Sequence, residues 1–169
     1  SLEKETQQLA RELAKEIENA LSILTKETIR VTASGRTDSG VHALGQVVHF
    51  DTESDVTLER FCIGLNGILP KSIAIKNAYH VTSDFHARFS AQEREYRYYI
   101  YNYNQRSPFV QYRTMWYHKY LDIEFLKEAS RFLIGEYDFA SFCKKISTDE
   151  STIRTINDIS IVRYNELIE

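Results

Sequence analysis

The stretch Thr28–Asp51, TIRVTASGRTDSGVHALGQVVHFD, decides how the first half of the chain folds. Apolar and polar residues alternate in Thr28–Ala33 and again in Gln46–Asp51, and this period of two predicts two strands. The residues between them, 34–45, include three of the six glycines of the chain, which is typical of a structured loop. The stretch therefore predicts a strand–loop–strand unit.

Two helices are predicted on either side of this unit. Residues 2–24 carry one apolar stripe, with an aliphatic side chain at every third or fourth position: Leu9, Leu13, Ile17, Leu21 and Leu24. A second helix is predicted over 55–69, with Asp55 or Thr57 as its N-cap and Pro70 as its stop.

The second half of the chain mixes the same two kinds of element. A third helix is predicted over 121–134, closed by Gly135, and strands are predicted over 73–81, 94–102 and 153–164. Neighbouring strands are close enough in sequence to pair antiparallel. We therefore expect an α+β fold with a mainly antiparallel mixed sheet flanked by helices, divided into a first lobe over 1–105 and the start of a second over 106–169.

Composition excludes several classes of protein. With 169 residues, 43% hydrophobic and 27% charged, the chain is long enough and apolar enough to bury a core, unlike a disordered chain. No apolar run approaches the about 20 residues of a membrane span, and the polar amino terminus does not resemble a secretory signal. Cys62 and Cys143 are far apart, which predicts neither a disulfide framework nor a zinc site. We expect a cytoplasmic protein.

The charge is unevenly distributed. The net charge is −3, which argues against a uniformly basic nucleic-acid binder. Residues 84–120, however, carry three more basic than acidic side chains. Because electrostatic attraction is local, an acidic protein with one basic face can still bind an anionic partner.

The loop contains the residues best suited to chemistry. Arg36 and Asp38 are two apart, so in extended backbone their side chains leave the same face. A guanidinium beside a carboxylate favours the anion, the form that a nucleophilic aspartate needs. The spacing alone favours the alternative, a structural Asp-Ser-Gly turn with an arginine salt bridge. His42 and His49 fit no common zinc spacing, so we expect His42 to be a loop residue and His49 a strand residue.

Three motifs together resemble the TruA family of tRNA pseudouridine synthases. The first is GRTDSGVHALGQVVHF at Gly35–Phe50, and the second joins FHARFSA at Phe85–Ala91 to REYRYYIYN at Arg94–Asn102. The third is DFASF at Asp138–Phe142, followed by RTI at 154–156. The similarity extends over nearly the whole chain from Thr28 onward, and its motifs come in the order and spacing of the family.

The resemblance implies a function and a role for each matching residue. Asp38 matches the nucleophile that isomerises uridine to pseudouridine, Arg36 the basic residue beside it, and Tyr96 a tyrosine that contacts the target uracil. The local basic charge then makes Arg88, Arg94 and Arg97 candidates for RNA contact, together with Arg36 and Tyr96. Family members are usually homodimers that need no cofactor or metal and modify uridines in the anticodon stem-loop of tRNA.

The similarity to the family is incomplete at both ends. Family members begin with a strand ahead of the first helix and continue past 159–163 into a segment that closes over the target base. We therefore expect an incomplete domain, inactive or poorly active as it stands. The alternative to an isomerase is a non-catalytic RNA-binding module in which Asp38 only braces Arg36. A metal-dependent hydrolase using Asp38 and His42 is disfavoured, since no second carboxylate lies near them in sequence.

Overall fold

A computed structural model describes residues 2–35, 37–38, 40–143 and 151–169, with side chains described from residue 13 onward. The chain divides into two compact units, Ser1–Arg94 and Glu95–Glu169, and each is described by itself. None of the helices in the described part is long and apolar enough to cross a bilayer.

The first unit contains two helices and one short strand pair. Its elements in chain order are α1 (Leu2–Thr25), β1 (Thr32–Ala33), β2 (Val48–His49) and α2 (Leu58–Ile68). Strands β1 and β2 pair antiparallel, with Thr32 opposite His49 and Ala33 opposite Val48. The strand–loop–strand prediction is thus confirmed, although both strands are shorter than the alternating stretches.

The core of the first unit lies between the two helices. Among the described side chains of the stripe on α1, Leu21 is fully buried and Ile17 is buried, with Ala20 beside them, while Leu13 and Leu24 pack against the core. The other side is formed by buried Ile29 ahead of β1, by Phe61 and Leu65 of α2, and by Leu69 just after α2. This packing fixes the strands that carry the loop, because burial of apolar surface supplies most of the stability of such an element.

Helix α2 is shorter than the predicted 55–69. Its N-cap is Thr57, whose side chain accepts a hydrogen bond from the amide of Arg60 at 3.4 Å. The alternative cap, Asp55, lies two residues before it, outside the helix. The helix ends at Ile68, just ahead of Pro70, since proline disfavours the helical conformation in the residue before it.

The strand predicted over 73–81 is wrong. Ile73 and Ile75 do pack against the core, as an alternating segment should, but no strand pairing forms there. Instead the side chain of Asn66 on α2 donates to the carbonyl of Ile75 and accepts from its amide, both at 2.8 Å. One helix side chain therefore takes the place of a neighbouring strand.

The second unit contains several short strands and one helix. In chain order it contains β3 (Ile100–Asn102), β4 (Met115–Tyr117), α3 (Ile123–Ser130), β5 (Gly135–Asp138), β6 (Ile153–Ile156), β7 (Arg163–Tyr164) and β8 (Leu167–Ile168). Four of the strands form a mixed sheet in the order β4-β3-β8-β7, and β5 pairs with β6. Together with the first unit, this mixture of helices and small sheets is of the α+β class.

One pairing differs from the antiparallel expectation. Strand β3 runs parallel to β4, with Tyr101 opposite Trp116, and antiparallel to β8. Parallel neighbours need a connection of about a dozen residues or more, and residues 103–114 supply it. Within this connection the amides of Arg113 and Thr114 both donate to the carbonyl of Val110 at 3.0 Å, which turns the chain back before β4 begins.

Three further predicted boundaries are corrected. The strand over 94–102 is paired only in β3, and the strand over 153–164 is divided into β6 and β7. The helix over 121–134 is shorter, because α3 passes into a 3-10 turn at Arg131–Leu133. Gly135 follows that turn with φ +124° as the first residue of β5.

A buried polar cluster secures β3. Asn102 is 7% exposed, and its amide nitrogen donates to the carbonyls of Tyr117 and Lys119 at 2.9 and 2.6 Å. Its side-chain oxygen accepts from the amide of Leu121 and from Nη2 of Arg163. Buried polar groups are tolerated when they are paired in this way.

Candidate active site

Asp38 lies at the exposed tip of the loop between β1 and β2. Its backbone carbonyl accepts from the amide of Val41 at 3.1 Å, which closes a four-residue turn. Gly40, the third residue of that turn, has φ +82°, in the left-handed region that glycine enters without steric cost. The turn therefore leaves the Asp38 carboxylate facing solvent, where a substrate can reach it.

The two glycines that bracket Asp38 have different roles. Gly40 has a positive φ, whereas Gly35 does not. A Cβ at Gly35 would be 4.0 Å from Nε of Arg94, which is ordinary contact. Arg36 lies outside the described residues, and so does its predicted pairing with Asp38.

The base of the loop is joined by polar contacts. The amide of Ser34 donates to the carbonyl of Val47 at 2.9 Å, one step beyond the β1–β2 pair. Gln46 accepts from the hydroxyl of Ser34 at 3.3 Å and donates to the carbonyl of Gly35 at 2.5 Å. These bonds join the two ends of the loop, as expected of an ordered connection.

The FHARFSA motif forms a tight turn beside β2. The amide of Ser90 donates to the carbonyl of His86 at 2.8 Å, and the hydroxyl of Ser90 accepts from the amide of His86 at 3.0 Å. His49 on β2 accepts from the amide of buried Ala87 through Nδ1 at 3.1 Å, and its ring centroid lies 4.7 Å from that of His86. The strand position predicted for His49 is confirmed, and the bond to Ala87 gives it an anchoring role that its spacing did not reveal.

Two of the arginines predicted to contact RNA belong to this region. Arg88 is exposed, and its guanidinium carbon lies 5.8 Å from the ring centroid of Phe89, itself exposed. Arg94 instead directs Nη2 at protein, 3.1 Å from the carbonyl of Ser34 and 3.4 Å from that of Arg88. The guanidinium of Arg88 is thus presented to solvent, whereas that of Arg94 is bonded to the loop.

Tyr96 belongs to the second unit and is 83% exposed. Tyr98 is also exposed, whereas Tyr99 and Tyr101 are half-buried, which agrees with the alternation predicted for this segment. Asp38 belongs to the first unit and Tyr96 to the second, so each is described within its own unit.

The third candidate arginine is held by carboxylates. Nε of Arg97 lies 2.8 Å from Glu95, and Nη1 lies 3.3 Å from Glu169. The hydrogen bond to Glu95, aided by Tyr99 and by the nearby negative charges, raises the pKa of Arg97 above its usual value. Two carboxylates therefore compete with any phosphate for this side chain.

The DFASF motif turns the chain after β5. One oxygen of Asp138 accepts from the amide of Ala140 at 2.9 Å and from the hydroxyl of Thr152. The amide of Phe139 donates to the carbonyl of Thr152 at 3.1 Å. The hydrogen bond from Thr152, followed by that from Ala140, lowers the pKa of Asp138. Asp138 thus has a structural role in this turn.

His42, the other histidine weighed as a ligand, is exposed in the loop. Across the described ranges, no three His, Cys, Asp or Glu side chains gather in a way that could hold a metal ion. The chemistry that the geometry offers is that of an accessible carboxylate on a fixed loop, with an exposed arginine on the adjoining turn.

Comparison with known proteins identifies the class to which this loop belongs. The sequence profile of a family described as tRNA pseudouridine synthase matches residues 1–90, which include the Asp38 loop and the FHARFS turn. The chain belongs to the tRNA pseudouridine synthase family, and the resemblance drawn from the motifs is confirmed.

Particular relatives carry the name tRNA pseudouridine synthase A. The chain is 41% identical to the protein of Glaesserella parasuis over 162 residues, covering 96% of this chain and 62% of the relative. It is 43% identical to that of Pseudoalteromonas translucida, covering 90% of this chain and 58% of the relative. For Caldicellulosiruptor saccharolyticus the identity is 42%, with 90% and 62% covered. The chain thus spans about three-fifths of the length of these relatives.

Proposed function

We propose that this protein isomerises uridine to pseudouridine in tRNA, in the anticodon stem-loop, with Asp38 as the nucleophile. The observation that carries the proposal is the position of Asp38. It lies within the part that matches the family, and a glycine-dependent turn holds it at the exposed tip of a closed loop.

The reaction needs few groups from the protein. The C1′–N1 bond of the uridine breaks, the freed uracil rotates, and C5 forms the new bond to C1′. The Asp38 carboxylate either forms a covalent bond to the substrate that is broken again before the product leaves, or removes the C2′ proton and later returns it. A base finally takes the proton from C5, and N1, freed from C1′, takes up a proton from solvent, so that the product is an isomer of the substrate. We assign the role of that base to Tyr96, whose side chain is exposed.

Binding must place the target uracil next to the carboxylate. A uridine in a stem-loop has to leave its stack, at a cost of a few kcal/mol that stacking and phosphate contacts offset. We assign phosphate contact to Arg88, whose guanidinium is presented to solvent over Phe89. Arg36 is assigned to the carboxylate and the flipped nucleotide. Arg97 is a weaker candidate for phosphate contact because Glu95 and Glu169 already hold it.

The substitution Asp38→Asn tests the catalytic assignment. In the full-length protein we expect loss of pseudouridine formation, measured by tritium release from C5-labelled tRNA, with tRNA affinity within about tenfold, or ~1.4 kcal/mol, of wild type. Affinity is retained because cationic side chains supply most of it. The matched control is Asp51→Asn, which neutralises an exposed carboxylate just after β2 and should leave turnover unchanged.

Two results would overturn this assignment. Turnover by pure Asp38→Asn would show that another group is the nucleophile. A wild-type protein that binds tRNA without releasing tritium would instead favour the non-catalytic RNA-binding module. Carbodiimide mapping of the modified positions would decide whether they lie in the anticodon stem-loop.

The remaining expectations concern the whole protein. We propose a cytoplasmic homodimer whose strands belong to a mainly antiparallel mixed sheet flanked by helices, with a lobe boundary at residues 105 and 106. Light scattering of the full-length protein would measure the oligomeric state directly.

A further inference from the structure

Two cationic side chains from outside the Asp38 loop bind its backbone, one near each end of the loop. Arg94 donates from Nη2 to the carbonyl of Ser34 at 3.1 Å, at the start of the loop. Lys76 donates from Nζ to the carbonyl of Leu44 at 2.5 Å, near its end. Asp38 lies between these two attachment points.

Arg94 also joins the loop to the neighbouring turn. The same Nη2 lies 3.4 Å from the carbonyl of Arg88, while Nε lies 4.0 Å from the place where a Cβ on Gly35 would be. The guanidinium therefore lies against the loop backbone with two carbonyls within reach. A planar guanidinium with several fixed donors suits such a bridge better than an ammonium does.

The turn that Arg94 binds is itself anchored. His49 on β2 accepts from the amide of Ala87, and Ala87 is 3% exposed. The contacts thus form a closed path within the first unit, from β2 through His49 to the turn, through Arg94 to Ser34, and back along the loop to β2. A displacement of Arg94 would loosen the loop and the turn together.

We propose that Arg94 and Lys76 are positioning residues that fix the loop so that Asp38 is presented in one geometry. This inference rests on the proposed function and reassigns Arg94, otherwise a candidate for RNA contact. Hydrogen bonds in which one partner is charged are stronger than neutral ones. A catalytic group displaced by about 1 Å loses on the order of 100-fold in rate. Two such bonds at the base of an exposed loop therefore matter for the rate more than for affinity.

The test is Arg94→Lys, which keeps the charge and removes the forked geometry. We expect a fall of at least about tenfold in the single-turnover rate at saturating tRNA, with the dissociation constant for tRNA and its salt dependence unchanged. Lys76→Gln should lower the same rate without changing affinity. The matched control, Arg60→Lys, alters an exposed arginine on α2 and should leave both quantities at wild-type values.

A second measurement does not depend on activity. Hydrogen exchange without RNA should be faster in Arg94→Lys at the amides of Ser34 and Val41, which are bonded in the wild type, and unchanged in Arg60→Lys. This readout tests the positioning role even if the wild-type protein shows no synthase activity.

Three outcomes would overturn the inference. Weaker tRNA binding with a smaller salt slope, and an unchanged rate at saturation, would make Arg94 an RNA contact. Unchanged exchange at the amides of Ser34 and Val41 in Arg94→Lys would show that the bond from Arg94 does not hold the loop. A lower rate with cooperative unfolding at a reduced urea concentration, and equally fast exchange in α2, would indicate a general loss of stability instead.

Discussion

Gly40 shows how one residue controls the presentation of Asp38. Its φ of +82° lies in the region that side chains with a Cβ avoid. Apart from Gly40 and its chain neighbours, no atom of the described residues lies within 4 Å of the place where its Cβ would be, so the requirement for glycine here comes from the backbone and not from crowding. The turn that exposes the carboxylate therefore depends on this residue type.

We predict that Gly40→Ala lowers the free energy of unfolding by about 1–2 kcal/mol, the cost of the left-handed conformation for a residue with a Cβ. Urea denaturation would measure it. Gly45→Ala is the matched control in the same loop, because Gly45 has open space and no positive φ. Equal destabilisation by the two substitutions would contradict the account of Gly40.

Sequence reasoning reached the residues of the loop but not the residues that hold it. The motif singles out Asp38, and the turn chemistry of Gly40 follows from its neighbours. The contact between Arg94 and Ser34 joins residues sixty positions apart, and no local pattern indicates it. In the sequence, nothing separates Arg94 from the other arginines of the basic segment.

At the scale of elements, helices were predicted more closely than strands. The apolar stripe is sufficient to predict α1, because the backbone hydrogen bonds of a helix are made within the helix itself. A strand needs a partner, so the alternating stretch over 94–102 gives only the three residues of β3. The segment over 73–81 gives none, because the partner of Ile75 is a side chain of α2.

The β5–β6 pair permits a prediction about pH. Asp138 has a lowered pKa, chiefly because Thr152 donates to it, so its contribution to stability is present above the ordinary carboxyl pKa and is lost as pH falls through the folded value. We predict that Thr152→Val raises the pKa of Asp138 toward the ordinary value of about 3.9, as measured by NMR titration of its carboxyl carbon. Stability should then fall less on acidification than in the wild type.

Thr155→Val is the control for this change. Thr155 lies on β6 and bonds to Glu136 at 3.3 Å, away from Asp138, so its loss should leave the titration of Asp138 unchanged. A Thr152→Val protein with the wild-type pKa at Asp138 would show that Ala140 or another group sets the value.

At the scale of the whole molecule, affinity for RNA cannot come from total charge. The net charge is −3, so a polyanion is repelled on average and attracted only where basic side chains stand free of carboxylates. Arg88 meets that condition better than Arg97, which pairs with two carboxylates. Counting arginines in the sequence does not separate the two, because it ignores the partners of Arg97, one of which, Glu169, lies seventy-two positions away.

We predict that Arg88→Gln weakens tRNA binding and reduces the slope of log affinity against log salt concentration by about one. Filter binding between 50 and 200 mM salt, the range of roughly four-fold over which such slopes are read, would measure it. Arg30→Gln removes the same charge from an exposed arginine paired with Glu18 at 2.9 Å and should leave the slope unchanged. Equal slopes for wild type and Arg88→Gln would remove Arg88 from the RNA-binding surface.

The bond between Asn66 and Ile75 has a consequence for the chemical stability of the protein. Asn66 is followed by Gly67, the pair most prone to lose ammonia through a cyclic imide, and the product is an aspartate or isoaspartate. Either product keeps oxygens that accept from the amide of Ile75 but has no N–H to donate to its carbonyl. While α2 is formed, the helical backbone keeps the attacking amide of Gly67 from reaching the side chain. Slow chemical conversion at this one position would therefore record how often α2 opens.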